Sequence, residues 1–69
     1  MKTYHVKVGP GDDGWLVAQA VEEPAAITQG RSLDEIAWMI RDALELVTED
    51  VDFQVDLMLP FTLKLAKSA

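Results

Sequence analysis

Sixty-nine residues, with 12 acidic against 6 basic side chains, 49% hydrophobic content and no cysteine, describe one small domain without disulfides. The missing cysteines remove thiol catalysis and Cys-based zinc sites, and a single His, His5, removes a His-rich metal site. A net charge of −6 and a pI of about 4.4 argue against a free-standing nucleic-acid binder, which needs a basic face to displace counterions from phosphates.

A core of this size supplies only roughly 3–5 kcal/mol, so chains this short usually add a staple. With disulfides and metal removed, oligomerisation is the staple that remains. The hydrophobic content, at the upper edge of the ordinary range, points the same way. The cations Lys2, Lys7, Arg31, Arg41, Lys64 and Lys67 are scattered, with no adjacent pair. An acidic surface of this kind suits solubility or a basic partner. Met1 to His5 contain no apolar leader, and no run approaches the ~18 apolar residues of a membrane span. The expected home is the cytoplasm, with no membrane contact.

The first element is a strand from Thr3 to Val8, with Tyr4, Val6 and Val8 on one face and Thr3, His5 and Lys7 on the other. Gly9-Pro10-Gly11-Asp12-Asp13-Gly14 is a turn cluster. Trp15 to Val21 is the second strand of a hairpin. Its two faces, Trp15/Val17/Gln19 and Leu16/Ala18/Ala20, are both largely apolar, so either set fits the core and the strand can be covered on both sides. Glu22-Glu23-Pro24 interrupts, and Ala25 to Gln29 is a short third strand stopped by Gly30.

Ser32-Leu33-Asp34-Glu35 is a capping box, in which Ser32 accepts from the Glu35 N–H and Glu35 reaches back to the Ser32 N–H. From there the period becomes 3.6. Leu33, Ile36, Ala37, Ile40, Ala43, Leu44 and Val47 form one apolar stripe on a helix that runs to about Glu49. Val51 to Leu59 returns to clean alternation, the pattern of an antiparallel-type strand with one wet face. Pro60 ends it, and Phe61, Leu63 and Leu65 alternate as a short fifth strand. The order β-β-β-α-β predicts an α+β, two-layer domain: an antiparallel sheet of three to four strands with one helix packed on it.

Few residues suggest chemistry. Asp12 and Asp13 invite a metal-assisted hydrolase reading, but they sit in a turn where Asp is common, and further ligands are not identifiable. Glu49-Asp50-Val51-Asp52 lacks calcium-loop spacing. His5 has no nucleophile beside it in the pattern, because Ser32 is taken by the cap and Ser68 lies in the tail. Gly9, Gly11 and Gly14 match G-x-G-x-x-G spacing, but a strand follows where a phosphate-binding helix would have to start. No catalytic residue, metal or cofactor is expected.

The apolar outliers say more. Trp38 sits well off the stripe on a helical wheel, with Asp42 and Glu45 at i+4 and i+7, while Met39 and Leu46 widen the apolar area on the opposite flank of the stripe. Trp is enriched at interface hot spots, which favours a contact role over a loop cover. Trp15, Trp38, Met39, Phe61 and Leu63 are the candidate partner-binding or self-binding residues.

Gly14-Trp15-Leu16-Val17-Ala18, then Thr28-Gln29-Gly30, then Ser32-Leu33-Asp34-Glu35-Ile36 resemble the HicB-type antitoxin family. That family has a strand, a Thr-Gln-Gly or Thr-Glu-Gly turn and a Thr/Ser-Leu-Glu-Glu-Ala helix start. Pro24 is retained, while Ala25-Ala26 stand where Gly-Cys or Gly-Leu is usual. The resemblance covers roughly residues 4–59. It implies a partial ribonuclease-H-like fold without the catalytic acids, and neutralisation of a small basic HicA-like RNA-cleaving toxin by occlusion. Larger relatives carry a C-terminal DNA-binding segment; 69 residues leave no room for one, so direct DNA binding is not expected. The expectation is a non-enzymatic, homo-oligomeric binding module, a dimer or tetramer. The alternative is a stand-alone structural or regulatory oligomer of the same fold with no toxin partner.

Overall fold

The computed structural model describes residues 2–59. In chain order these are β1 (Lys2–Pro10), a 3-10 turn (Asp12–Gly14), β2 (Leu16–Ala20), β3 (Ile27–Gly30), α1 (Leu33–Thr48) and β4 (Phe53–Met58). The strands form one sheet in the order β3-β2-β1-β4, with α1 packed on one face. This is the α+β, two-layer arrangement that the order of elements implied.

The strand directions need one correction. β1 and β2 pair antiparallel, as do β2 and β3, but β4 lies parallel to β1, with Tyr4 opposite Val55 and Val6 opposite Leu57. The sheet is therefore mixed rather than antiparallel. Clean alternation in β4 reports one open face and says nothing about direction. α1 carries the chain from β3 at one edge to β4 at the other, and β4 then runs alongside β1 in the same sense.

The inward face of β2 is Leu16, Ala18 and Ala20; both alanines are buried, and their small side chains let the helix come close. Tyr4, Val6 and Val8 from β1 and Phe53 from β4 complete the floor of the core. Ile36, Ile40 and Leu44, at i, i+4 and i+8, are fully buried against it, each stabilising the fold by about 1.5–3 kcal/mol. The phenyl ring of Phe53 meets the Tyr4 ring edge-on at 5.2 Å. The apolar stripe is narrower than its sequence pattern, since Ala37 and Val47 are exposed; Val47 lies beyond Leu44, the last buried residue of α1.

Both helix ends are set by side chains. Ser32 Oγ accepts from the Glu35 N–H at 3.1 Å, as the capping box requires. Glu35 reaches one residue further back than expected, its Oε1 accepting from the Arg31 N–H at 2.9 Å. Gly30 makes that reach possible, because a Cβ there would lie 2.8 Å from Glu35 Oε1. At the other end Glu49 takes a left-handed conformation (φ 60°, ψ 26°), and its N–H donates to Glu45 O. Thr48 Oγ1 donates to Leu44 O and accepts from the Asp50 N–H.

Candidate functional site

The outer face of α1 is one candidate surface. Trp38 is 73% exposed and points away from the core, as its place on the wheel implied. Asp34 at i−4, Glu35 at i−3 and Asp42 at i+4 are exposed beside it, and Glu45 at i+7 is half-buried. Leu46, at i+8, is 76% exposed about 80° further round the helix. Arg41, the one cation within α1, is engaged by β4 and the loop before it. Its guanidinium lies 4.5 Å from the centroid of the Phe53 ring and donates to Phe53 O at 3.0 Å and Val51 O at 3.3 Å. Its Nε is 3.7 Å from Glu45 Oε2, a partly exposed i,i+4 pair. Trp38 therefore shares its exposed face with Asp34, Glu35 and Asp42, while Glu45 at i+7 is paired with Arg41.

Of the five sequence candidates, the three among the described residues, Trp15, Trp38 and Met39, have different surroundings. Trp15 is half-buried in the turn entering β2, with the Arg31 guanidinium 4.5 Å over its ring. Met39 lines a shallow groove of about 340 Å³ at the edge of β3, together with Val17, Ile27, Thr28 and Gln29. Phe61 and Leu63, with the fifth strand expected from Phe61 to Leu65, lie outside the described residues. The groove residues on β3 were not singled out from the sequence. The signal was present, a short neutral strand between two breakers, but the order of strands that makes β3 an edge was not.

The edge has a definite hydrogen-bond phase. Ala20 N–H donates to Ala26 O at 3.0 Å, in the register that pairs Gln19 with Ile27 and Ala18 with Thr28. Antiparallel pairs alternate between bonded and non-bonded, so Thr28 and Gly30 bond inward to β2. Ile27 and Gln29 then direct their backbone N–H and C=O groups outward from the sheet. The bond from Val21 N–H to His5 O on the other side of β2 fits the same phase. It also places Pro10, which has no N–H, at a non-bonded position opposite Leu16.

Asp12 and Asp13 are exposed in the 3-10 turn, and Asp13 adopts a left-handed φ of 55°. His5 is half-exposed on the open face of the sheet. Glu22 holds it twice, accepting from the His5 N–H at 2.8 Å and from ring Nδ1 at 2.6 Å. The side-chain hydrogen bond and then the charge of Glu22 raise the His5 pKa above its ordinary 6.5; the same bond lowers Glu22 below 4.5. Asp56, opposite His5 in β4, adds a smaller upward push. Glu22 orients the ring, yet Ser32 is committed to the helix cap. Among the described residues no group of three or more His, Asp or Glu side chains could hold a metal ion, and no helix is long and apolar enough to cross a membrane. Comparison with family models, curated proteins and solved structures finds no match to this chain.

Proposed function

We propose that the chain is a non-enzymatic binding module of the kind its resemblance to HicB-type antitoxins implies: a homo-oligomeric cytoplasmic protein that occludes a small basic RNA-cleaving partner. The observation that carries this reading is Trp38, 73% exposed on a helix face lined with carboxylates. A large exposed aromatic offers desolvation and a cation–π platform, while the carboxylates supply complementary charge; together they suit Arg-rich or Lys-rich protein surface. A net charge of −6 supports the same choice of partner, because it speeds encounter with a basic protein and repels nucleic acid.

The test is calorimetry between the purified chain and the small basic product of the adjoining reading frame, with rescue of growth on co-expression. Saturable binding with rescue is expected. An absence of both from every small basic neighbour removes the antitoxin reading. The second reading, a structural or regulatory oligomer with no toxin partner, is favoured by the β3 edge, unpaired among the described residues, and its groove.

A further inference from the structure

We propose that the outer edge of β3 is the self-association surface, where two copies join β3 to β3, antiparallel, about a two-fold axis at Thr28. This location rests on the oligomeric part of the reading above. It does not require the basic partner.

The backbone specifies the register. Ile27 and Gln29 direct N–H and C=O groups outward, and Thr28 does not. In a pairing centred on Thr28, Ile27 exchanges both hydrogen bonds with Gln29 of the second copy, and Gln29 does so with its Ile27. Every outward group of β3 is satisfied. Centring on Ile27 or on Gln29 would bring Ala25 or Arg31 into the ladder, and both lie outside the strand, in a turn and a bend. The Thr28-centred register also keeps the two helices on one side of a continuous sheet, since opposed residues share a face.

Charge and shape select a second copy as occupant. Ile27–Gly30 contains no charged residue, no Pro and no bulge, three of the devices that blunt an edge; its four-residue length is the one it has. At the opposite edge, β4 carries Asp56 within it and Asp52 just before it. Two copies each bearing −6 repel one another across the acidic face of α1, whereas Ile27, Thr28 and Gln29 carry no charge; the Glu35 carboxylate lies only at the Gly30 end of the strand, where it accepts from the Arg31 N–H. The groove beside it is walled by apolar atoms of Val17, Ile27 and Met39, with Ile27 54% exposed. A two-fold axis sets the same walls of the second copy against them. A four-residue edge with one groove is below the area of a standard stable interface, so the dimer is expected in the micromolar range.

The experiment combines sedimentation of the full chain with single-cysteine crosslinking. Wild-type protein should sediment at twice the 7.6 kDa of one chain at high micromolar concentration. Ile27→Lys puts a charge on the edge. Gln29→Pro deletes an outward N–H that β2 does not use. Each should convert the species to monomer with the circular dichroism spectrum unchanged. Because the chain has no cysteine of its own, Thr28→Cys reports cleanly. Opposed Thr28 positions form a non-hydrogen-bonded pair with Cα atoms about 4.5 Å apart, inside the disulfide range of about 4.4–6.8 Å, so oxidation should give a covalent dimer. Asp42→Cys on the acidic helix face should not crosslink. A monomeric wild type overturns both the location and the oligomeric reading. A dimer that survives Ile27→Lys and Gln29→Pro, without Thr28→Cys crosslinking, overturns the location alone. A monomer whose edge variants abolish capture of the basic partner would assign β3 to that partner and also overturn it.

Discussion

Replacing Trp38 with Ala should separate binding from folding. Trp38 is 73% exposed, so roughly a quarter of a side chain that can bury about 200 Å², some 50 Å², is covered within the chain. At ~25 cal/mol per Å² its loss costs about 1.3 kcal/mol as an upper bound, and the better helix propensity of Ala returns about 0.5 kcal/mol. The net cost to folding should stay below about 1 kcal/mol. The exposed remainder, about 150 Å², gives a ceiling near 4 kcal/mol if the partner covers it completely; a central hot spot is worth about 2 kcal/mol or more. Affinity for the basic partner should therefore fall by about 30-fold to 1000-fold. Calorimetric titration at two salt concentrations measures this, alongside urea unfolding of the same variant. Wild-type affinity should also weaken with salt, because the surrounding carboxylates are exposed. An affinity within about threefold of wild type would refute the placement of the interface on the outer face of α1. So would a stability loss above about 2 kcal/mol, since Trp38 would then be serving the fold.

Ile40, about half a turn of the helix from Trp38 but fully buried, should behave in the opposite way: Ile40→Ala should cost about 2–5 kcal/mol and leave the chain largely unfolded by circular dichroism. Ser32→Ala removes the acceptor for the Glu35 N–H and should cost about 1 kcal/mol in urea unfolding, whereas Ser32→Asp should restore it. Glu49→Gly relieves a left-handed φ of 60° at the helix end and should raise stability by about 0.5–1 kcal/mol, read as a higher melting temperature. The His5–Glu22 pair should give a stability contribution that is complete between about pH 4.5 and 6.5. It is lost above as His5 deprotonates through its raised folded value, and lost below as Glu22 is protonated through its lowered one; the melting-temperature difference between wild type and Glu22→Gln across pH reads both limits.

The fold was legible wherever a segment has one wet face and one dry face. Tyr4, Val6 and Val8 alternate with Thr3, His5 and Lys7, and the structure buries the first set. Ile36, Ile40 and Leu44 recur at helical spacing and form the center of the contact with the sheet. Legibility stopped where pattern is degenerate. Leu16/Ala18/Ala20 and Trp15/Val17/Gln19 are both apolar enough to be inward, and the hairpin register, which sets Ala20 opposite Val6 and Ala18 opposite Val8, selects the alanines. Alternation in β4 cannot report strand direction, and a capping box cannot report that its Glu passes over Gly30 to reach Arg31. Of the candidate site, Trp38 was readable because a bulky residue off the apolar stripe must face outward. The β3 edge was not, because being an edge is a property of strand order and depends on where β4 inserts.

Strand order also explains why two interaction surfaces can coexist on so small a domain. Because α1 returns the chain to the β1 side, β3 is left with hydrogen-bonding backbone facing outward and no charged residue of its own, while Trp38 and Asp42 are exposed on α1 and the Glu35 carboxylate turns back to the Arg31 N–H beside Gly30. Directional hydrogen bonding holds a like-charged copy best where charge is absent, and Ile27, Thr28 and Gln29, which supply or flank the outward groups, carry none. Long-range attraction of a cationic protein needs the reverse, and the turns around Trp38 meet it. Charges added to the two surfaces should therefore act independently. Ile27→Lys should dissociate copies without weakening the basic partner, and Asp42→Lys should weaken the partner without dissociating copies. A double variant whose defects fail to add would mean that partner binding depends on the dimer, and the surfaces would then be parts of one interface.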